Sequence, residues 1–278
     1  MRLKRGERVA IITKVLSDRP SKSFPLSWFQ EMLGAAKSTL SEDLTVIKRA
    51  FEHFALGRID SQQGVGGGVT YRPSRSPSYI REVLEDLCTL LQTPDRILPG
   101  GFLYMTDILF SPWWTSRLGE IFAAMFVNRE PKFVVTMETK GIPVALMTAK
   151  YLDVPLVLLR RDHAVTEGSV VSINYVSGSS GRIQTMSLPK RALPRGAKVL
   201  LIDDFMKAGG TARGMLDIMA EFDAEVAGVG ILIETKDPEK KLIVDYVSLI
   251  QLESISEHAR TVSIHPSPRL TILKNPVD

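Results

Sequence analysis

The sequence has very little cysteine and histidine. It contains one cysteine, Cys88, and four histidines, at positions 53, 163, 258 and 265. A single cysteine excludes an internal disulfide framework and a cysteine-based zinc cluster. The histidines are too scattered to suggest a metal site, so none is assigned. Cys88 falls within an apolar helical pattern, which predicts a buried thiol.

Long apolar runs are also missing. No run approaches the roughly 20 residues of a membrane span, and the first ten residues, MRLKRGERVA, contain no apolar signal region. A composition that is 44% hydrophobic and 24% charged is typical of a soluble globular protein. We therefore expect a cytoplasmic location and no membrane partner. With 278 residues the chain is long enough for two domains, although one is possible.

Positive charge is concentrated at one end of the chain. Residues 1–74 hold 12 Lys and Arg against 7 Asp and Glu, whereas residues 75–278 hold 23 against 24. A basic end on a neutral body is typical of a nucleic-acid-binding module joined to a ligand domain. We expect a DNA-binding domain over 1–74 and a ligand domain over 75–278, linked near the Pro- and Ser-rich segment 72–78.

The most informative run is VLLIDDFMKAGGT, residues 199–211. Its first four residues suit a buried parallel strand, and Asp203 and Asp204 follow where that strand would end, at the sheet edge where ligands bind. The loop 207–211 then leads into a helix. Glycine backbone N–H groups and the helix dipole favour a phosphate there, and Thr211 adds a hydroxyl. Two acids beside such a loop favour a ligand with hydroxyls, with or without Mg²⁺, and ribose 5-phosphate meets both demands.

This run matches neither GxxxxGK[ST] nor GxGxxG, so ATP hydrolysis and dinucleotide binding are not indicated. It resembles the motif with which type I phosphoribosyltransferases bind phosphoribosyl pyrophosphate (PRPP). The alternative is an ordinary strand-to-helix turn with surface aspartates.

Helix and strand patterns alternate through the rest of the expected ligand domain, which favours an α/β fold with a mostly parallel sheet flanked by helices. The predicted helices are 78–91, 112–126, 143–151 and 211–221, and the predicted strands are 133–137, 154–160, 199–202 and 226–233. After strand 133–137, the loop Thr139, Lys140 and Gly141 is able to hold a second anion or is an ordinary turn. Given the resemblance, it corresponds to the pyrophosphate loop.

Arg160 and Arg161 end the strand 154–160. They either neutralise phosphates or are solvated surface charges, and Arg160 is favoured because it is nearer the strand edge. A polar insertion follows, in which two alternating stretches around a turn at 177–181 predict a hairpin that can close over a ligand.

The basic end reads as a winged helix-turn-helix. Helices are predicted at 7–17, from Pro25 to Leu33, and from a capping box of Thr39 and Glu42 onward, and short strands are predicted at 58–61 and 69–72. In such a module the third helix enters the major groove while basic side chains contact phosphates. The candidate DNA-binding residues are Arg5, Arg8, Lys37, Ser38, Thr39, Ser41, Thr45, Lys48, Arg49, Arg58 and Arg72. Asp43 is unexplained, and a helical domain for dimerisation or protein contact is the alternative.

Several segments together resemble the purine operon repressor family of Gram-positive bacteria: KSTLSEDLTVIK, GGVTY, RILPGGFLYMTDIL, the TKG loop, TEGSVVSINYVSGSSGRIQTMSL and IDDFMKAGGT. The likeness extends over almost the entire chain. It implies a homodimer that binds operator DNA of purine synthesis genes, senses PRPP without consuming it, and admits guanosine tetraphosphate as a competing occupant. The alternative is an active purine phosphoribosyltransferase with an accessory N-terminal domain.

The resemblance also implies which residues bind the ligand. Phe102 stands where relatives tend to have tyrosine, so stacking is retained but a hydroxyl contact is not. The candidate ligand-binding residues are Phe102, Thr139, Lys140, Gly141, Arg160, Arg161, Ser179, Asp203, Asp204, Phe205, Met206, Lys207, Ala208, Gly209, Gly210 and Thr211. No catalytic residue is assigned and no cofactor is required beyond PRPP as effector.

Overall fold

A computed structural model describes residues 3–62, 67–162, 168–176 and 181–270. The N-terminal module contains α1 (Arg5–Asp18), β1 (Ser23–Phe24), α2 (Leu26–Leu33), α3 (Lys37–His53), β2 (Arg58–Ser61) and β3 (Val69–Arg72). The three strands form an antiparallel sheet in the order β1-β3-β2. The apolar faces of the helices pack together with the sheet into one core. This is the predicted winged helix-turn-helix.

The turn between α2 and α3 depends on Gly34. Its φ of 59° places it in the left-handed region that glycine adopts without strain, and its N–H donates to the Gln30 carbonyl. The helix therefore ends where the sequence predicts. Only Ala35 and Ala36 follow Gly34 before α3 starts at Lys37.

The predicted capping box is wrong. The helix α3 begins at Lys37 with Ala36 as its N-cap, and no side chain caps that end. The Leu40 N–H already donates to the Ala36 carbonyl at 3.0 Å, so Thr39 lies inside the first turn. The short turn that begins at Gly34 determines where α3 starts, before the start that Thr39 and Glu42 predict.

The second unit starts with α4 (Pro77–Leu91), whose N-cap Ser76 accepts a hydrogen bond from the Tyr79 N–H. Its further elements are β4 (Ile97–Leu98), β5 (Phe102–Leu103), α5 (Thr106–Leu109), α6 (Pro112–Phe126), β6 (Phe133–Met137), α7 (Ile142–Leu152), β7 (Leu156–Leu159), β8 (Val170–Val176), β9 (Ile183–Pro189), β10 (Lys198–Met206), α8 (Gly210–Glu221), β11 (Glu225–Thr235), β12 (Val247–Ser256) and β13 (Thr261–Pro266). The split at residue 74 stays a prediction.

A six-stranded sheet in the order β13-β12-β11-β10-β6-β7 forms the centre of this unit. All its pairs are parallel except that of β12 with the edge strand β13. One apolar core lies between the sheet and α4, α6 and α7, and a second lies between the sheet, α8 and the β8–β9 hairpin. The α/β prediction is thus confirmed. None of the described helices is long and apolar enough to cross a membrane.

The strand β10 is longer than predicted. It continues through Asp203 and Asp204 to Met206, because β11 runs beside it as far as Thr235 and supplies backbone partners. The two acids therefore lie within β10, near its carboxyl end, rather than after it. The expectation that they follow the end of the strand is corrected.

Candidate ligand site and DNA-facing surface

A cavity of about 640 Å³ lies at the carboxyl edge of the sheet. Segments that follow β6, β7 and β10 meet there with the β4–β5 hairpin and the ends of β11 and β12. Its lining includes the predicted residues Phe102, Thr139, Lys140, Arg161, Asp203, Asp204, Phe205, Met206, Lys207, Gly209, Gly210 and Thr211. The position matches the place where open α/β sheets bind ligands.

The two acids of β10 are adjacent, with Asp203 buried and Asp204 half-buried. Asp203 is 6% exposed, and its Oδ1 accepts a hydrogen bond from the Asp204 backbone N–H at 3.0 Å. Burial raises the pKa of Asp203, and the neighbouring Asp204 charge raises it further. Burial also raises the pKa of Asp204, whereas the positive charge of Lys140 opposes that rise. The pair is therefore suited to ligand hydroxyls or to a cation that comes with the ligand.

Two helix N-termini face this region. The helix α8 has Gly209 as its N-cap, with φ of 89°, and α7 has Gly141. A Cβ built on Gly141 would lie 2.6 Å from the Thr136 hydroxyl oxygen and 3.5 Å from the Asp203 carboxylate. Glycine thus lets the Lys140 loop pack directly against the acids. Each helix end adds partial positive charge that favours an anion.

The structure reverses the preference between the two arginines. Arg161 lines the cavity, and its backbone N–H donates to a Glu138 carboxylate oxygen at 2.8 Å. Arg160 pairs through its backbone with Ser187 of β9 and is not among the described residues that line the cavity. The extra bridge to β9 prolongs the strand by one residue, so the following residue enters the site.

Three further candidates are placed differently. Gly141 and Ala208 are not among the described lining residues; the Ala208 carbonyl accepts a hydrogen bond from the Leu242 N–H at 2.9 Å. Ser179 lies outside the described residues, as do positions 177, 178 and 180 of the predicted turn. The strands of that hairpin are present as predicted.

Sequence reasoning missed the contribution of the hairpin strands. Tyr175 of β8 and Gln184 of β9 both line the cavity, and the Tyr175 hydroxyl donates to Gln184 Oε1 at 2.9 Å. Burial raises the pKa of Tyr175, while Arg161 and a hydrogen bond with Thr211 oppose the rise. The alternation of residues along β8 was the available signal, since it places Ile173 and Tyr175 on one face.

Part of the cavity lining is apolar. Leu103, Met105, Leu252 and Ile255 form this part together with Phe102, which is 61% exposed on the β4–β5 hairpin. Arg96 holds this hairpin through two hydrogen bonds of 2.8 Å to Asp107. The cavity lining therefore combines a glycine-rich loop and charged side chains with apolar and aromatic side chains.

The exposed face of α3 carries most of the candidate DNA-binding residues. Lys37, Ser38, Ser41, Thr45, Lys48 and Arg49 are exposed, and Thr39 is half-buried. On the wing, Arg58 and Arg72 each form an ion pair of 2.8 Å with Asp60. These basic and hydroxyl side chains are of the types that contact DNA phosphates, although the exposed face of α3 also carries Glu42 and Glu52.

Asp43 forms ion pairs with two of the N-terminal arginines, Arg5 and Arg8. Its carboxylate is 1% exposed, lies 2.7 Å from Arg8 Nε and 3.5 Å from Arg5 Nε, and holds α1 against α3. The hydrogen bond with Asp43 raises the pKa of Arg8. The Arg8 side chain, which is 13% exposed, is thus engaged in an internal ion pair and presents little surface to DNA.

The two units meet at specific polar contacts. Buried Glu120 of α6 accepts a hydrogen bond from the Tyr71 hydroxyl at 3.3 Å and lies 3.0 Å from Arg75 Nε. Around the end of α7, the Ser21 hydroxyl donates to the Tyr151 carbonyl at 2.7 Å, and Arg19 pairs with Asp153 at 2.6 Å.

The fold and the cavity together define a class: a winged-helix DNA-binding module joined to a phosphoribosyltransferase-type ligand domain. A family model described as "Bacterial purine repressor, N-terminal" matches residues 4–73, and one described as "Phosphoribosyl transferase domain" matches residues 117–262. The chain belongs to the purine repressor family, whose members are transcriptional regulators of purine biosynthesis.

The similarity to curated relatives is nearly full-length. The chain is 46% identical to the "Purine biosynthesis transcriptional repressor PurR" of Bacillus subtilis, over 99% of this chain and 96% of the relative. It is 39% identical to the "Purine biosynthesis transcriptional activator PurR" of Lactococcus lactis subsp. lactis, over 94% and 97%. The crystal structure of adenine phosphoribosyltransferase from Rhodothermus marinus matches 62% of this chain and 99% of its own, with a TM-score of 0.53 and 25% identity.

Proposed function

We propose that this protein represses purine synthesis genes and that PRPP, bound in the cavity, lowers its affinity for operator DNA. The observation that carries the proposal is the union, in one chain, of an anion-binding cavity with an acidic pair and a winged helix whose α3 exposes basic and hydroxyl side chains. The relatives include both a repressor and an activator. The identity to the Bacillus subtilis repressor, 46%, favours repression.

PRPP matches the cavity group by group. Its 5-phosphate lies in the loop 207–211 at the N-terminus of α8, its ribose hydroxyls face Asp203 and Asp204, and its pyrophosphate lies against the loop 139–141 with Arg161 nearby. Magnesium can accompany the pyrophosphate, because Mg²⁺ keeps several waters and binds through one or two carboxylates plus substrate phosphates. Among the described residues, no group of three or more His, Cys, Asp or Glu is placed to hold a metal ion.

Guanosine tetraphosphate is a competing occupant in this proposal. Its phosphates use the same anion-binding loops, and its guanine lies at the apolar part of the lining against the exposed ring of Phe102. The two ligands are then mutually exclusive, so guanosine tetraphosphate opposes the effect of PRPP.

Helix α7 connects the cavity to the DNA-binding module. It has 11 residues and spans about 16 Å. One end follows Gly141 at the cavity, and the other carries Tyr151 and leads to Asp153, which contact Ser21 and Arg19. In this proposal, a ligand bound at the loop 139–141 shifts α7, and α7 transmits that shift to the DNA-binding module through Ser21 and Arg19.

On DNA, the proposed form is a homodimer that contacts two half-sites, with one α3 in each major groove. Lys48, Arg49 and the other basic side chains neutralise phosphates, so affinity falls steeply as salt rises. Protection of purine-gene promoter DNA from nuclease cleavage, with and without PRPP, tests the proposal. We expect the protein to protect the operator from cleavage and PRPP to abolish that protection. Protection that PRPP does not affect would contradict the induction mechanism.

The second candidate function is an active purine phosphoribosyltransferase. It is favoured by the fold shared with the Rhodothermus marinus adenine phosphoribosyltransferase. Transfer from PRPP depends mainly on positioning and charge stabilisation, so this function would not require a catalytic nucleophile in the protein. Pyrophosphate release from PRPP in the presence of adenine, guanine, hypoxanthine or xanthine would support this function.

A further inference from the structure

Lys241 is a buried lysine directly behind the anion-binding loop. It is 8% exposed, and its ammonium donates to the Lys207 carbonyl at 2.7 Å, the Thr235 carbonyl at 2.6 Å and the Thr235 hydroxyl at 3.3 Å. These contacts use all three N–H donors of an ammonium. The next residue, Leu242, donates its backbone N–H to the Ala208 carbonyl at 2.9 Å.

The segment 241–242 thus fixes two consecutive carbonyls of the loop. In a trans peptide group the carbonyl and the N–H point in opposite directions. The Lys207 carbonyl shares its peptide group with the Ala208 N–H, and the Ala208 carbonyl shares its group with the Gly209 N–H. Both N–H groups are therefore turned away from Lys241, and the left-handed φ of 89° at Gly209 is compatible with the concave arrangement of N–H groups that binds anions.

The hydrogen bonds of the Lys241 ammonium go to carbonyl and hydroxyl oxygens rather than to a carboxylate. Glu234, the buried carboxylate in its vicinity, accepts hydrogen bonds from Tyr246 and Ser248 at 2.6 Å each and lies 3.5 Å from Arg269. Burial lowers the pKa of Lys241, whereas Glu234 and Asp237 favour its charged form. Burying a charged group is costly unless it is well hydrogen-bonded, and here the loop carbonyl is one of its partners.

We propose that Lys241 is a positioning residue for the 5-phosphate: its ammonium holds the Lys207 carbonyl on the far side of the loop, orients the loop N–H groups and adds positive charge behind them. The inference rests on the function proposed above, because it assigns a role within the same site. Lys241 does not line the cavity; it acts through the loop.

The test compares Lys241→Met with Lys240→Met, since Lys240 is an exposed neighbour and its substitution removes the same charge. Binding of PRPP, ribose 5-phosphate and inorganic pyrophosphate is measured by calorimetry for the full chain. We expect Lys241→Met to weaken the binding of PRPP and of ribose 5-phosphate by about tenfold or more. Pyrophosphate affinity changes little, because that group occupies the other loop. Lys240→Met binds all three as the parent protein does.

Two further readouts separate positioning from general damage. Operator affinity without PRPP is unchanged in Lys241→Met, and Lys241→Arg, which keeps a cationic donor, recovers part of the lost affinity. If Lys241→Met does not fold, Lys241→Gln, which keeps an N–H donor without the charge, takes its place in the same comparison.

The inference is overturned if folded Lys241→Met, or Lys241→Gln in its place, binds PRPP and ribose 5-phosphate as tightly as Lys240→Met. It is also overturned if affinity for pyrophosphate falls as much as affinity for ribose 5-phosphate. Failure of the parent protein to bind PRPP would instead contradict the proposed function, and the ribose 5-phosphate comparison would still decide the role of Lys241.

Discussion

Asp204 lies in the cavity beside Asp203, whose carboxyl group is more deeply buried. Both carboxyl groups have raised pKa values because of burial, and nearby Lys140 favours the charged form of Asp204. A ligand that brings hydroxyls or a cation supplies the partners that these oxygens otherwise obtain from water.

We therefore expect Asp204→Asn to bind operator DNA as the parent protein does but to lose its response to PRPP. The substitution preserves the volume of the side chain and removes its charge. Fluorescence anisotropy with labelled operator DNA measures both properties. Asp217→Asn, in an exposed ion pair with Arg213 on α8, is the matched control and should behave as the parent. Loss of operator binding by a folded Asp204→Asn protein would contradict the separation of the two sites.

Cys88 offers a probe of folding that is independent of both sites. Burial in α4 raises the pKa of its thiol from an ordinary value of about 9 to about 12. The folded chain therefore keeps a proton that the unfolded chain loses, so this group makes stability decrease as pH rises from about 9 towards 12. Native protein at pH 8 should react slowly with a thiol reagent and quickly once unfolded. Rapid labelling of the native protein would contradict the burial of Cys88.

Single residues show where sequence reasoning succeeds and where it fails. The acids and glycines of 203–211 were recognisable because ligand chemistry constrains both their types and their spacing. The roles of Arg8 and Asp43 were not, because a buried ion pair between residues 35 positions apart leaves no local pattern. The choice between Arg160 and Arg161 likewise depended on a bridge to Ser187 of a distant strand.

At the scale of elements, α3 is the proposed DNA-reading helix. Its buried face, Leu40, Leu44, Ile47 and Phe51, fixes which side chains point outward. The Lys48 side chain is more than half exposed, and its ion pair with Glu52 is long, at 3.9 Å.

Lys48→Ala should weaken operator binding and reduce its salt dependence by about one counterion, because one phosphate contact is lost. PRPP affinity, measured by calorimetry, should not change. Lys198→Ala, at the amino end of β10, removes the same charge from the ligand domain and serves as control. Equal operator affinity for both variants would argue against α3 as the reading helix.

Helix α7 is the element proposed to link the two sites. Arg19 and Ser21 contact the end of this helix, and neither lines the cavity among the described residues. The double variant Arg19→Ala and Ser21→Ala removes these contacts and leaves both binding surfaces in place.

In this double variant we expect PRPP and operator DNA to bind with parent affinities but to affect each other several-fold less. The physical reason is that coupling requires contacts that differ between the two states. Arg195→Ala, which breaks an exposed pair with Asp223 in the ligand domain, is the control. Undiminished coupling would show that the signal does not pass through the end of α7.

Among elements, those with strong periodicity were predicted closely: β2, β3, β6 and α6 have the predicted bounds. The strands β12 and β13 were not predicted, because β12 is buried in an irregular pattern and β13 is an antiparallel edge strand whose place depends on pairing with β12. The length of β10 was underestimated, since a neighbouring strand determines where it ends.

At the scale of the whole molecule, the two units are joined through buried Glu120 of α6, which contacts both Tyr71 and Arg75. In the proposed mechanism this junction carries the effect of ligand binding in the cavity to α3. Reciprocity is then a thermodynamic requirement: if PRPP weakens operator binding by some factor, operator DNA weakens PRPP binding by the same factor.

The most direct test of the account is therefore this cycle in the full-length protein. Operator affinity is measured by anisotropy with and without saturating PRPP, and PRPP affinity by calorimetry with and without saturating operator DNA, at one fixed salt concentration. We predict that both affinities fall by the same factor, roughly 5- to 150-fold, the usual range of allosteric coupling. Operator affinity that is unchanged by saturating PRPP would contradict the central claim.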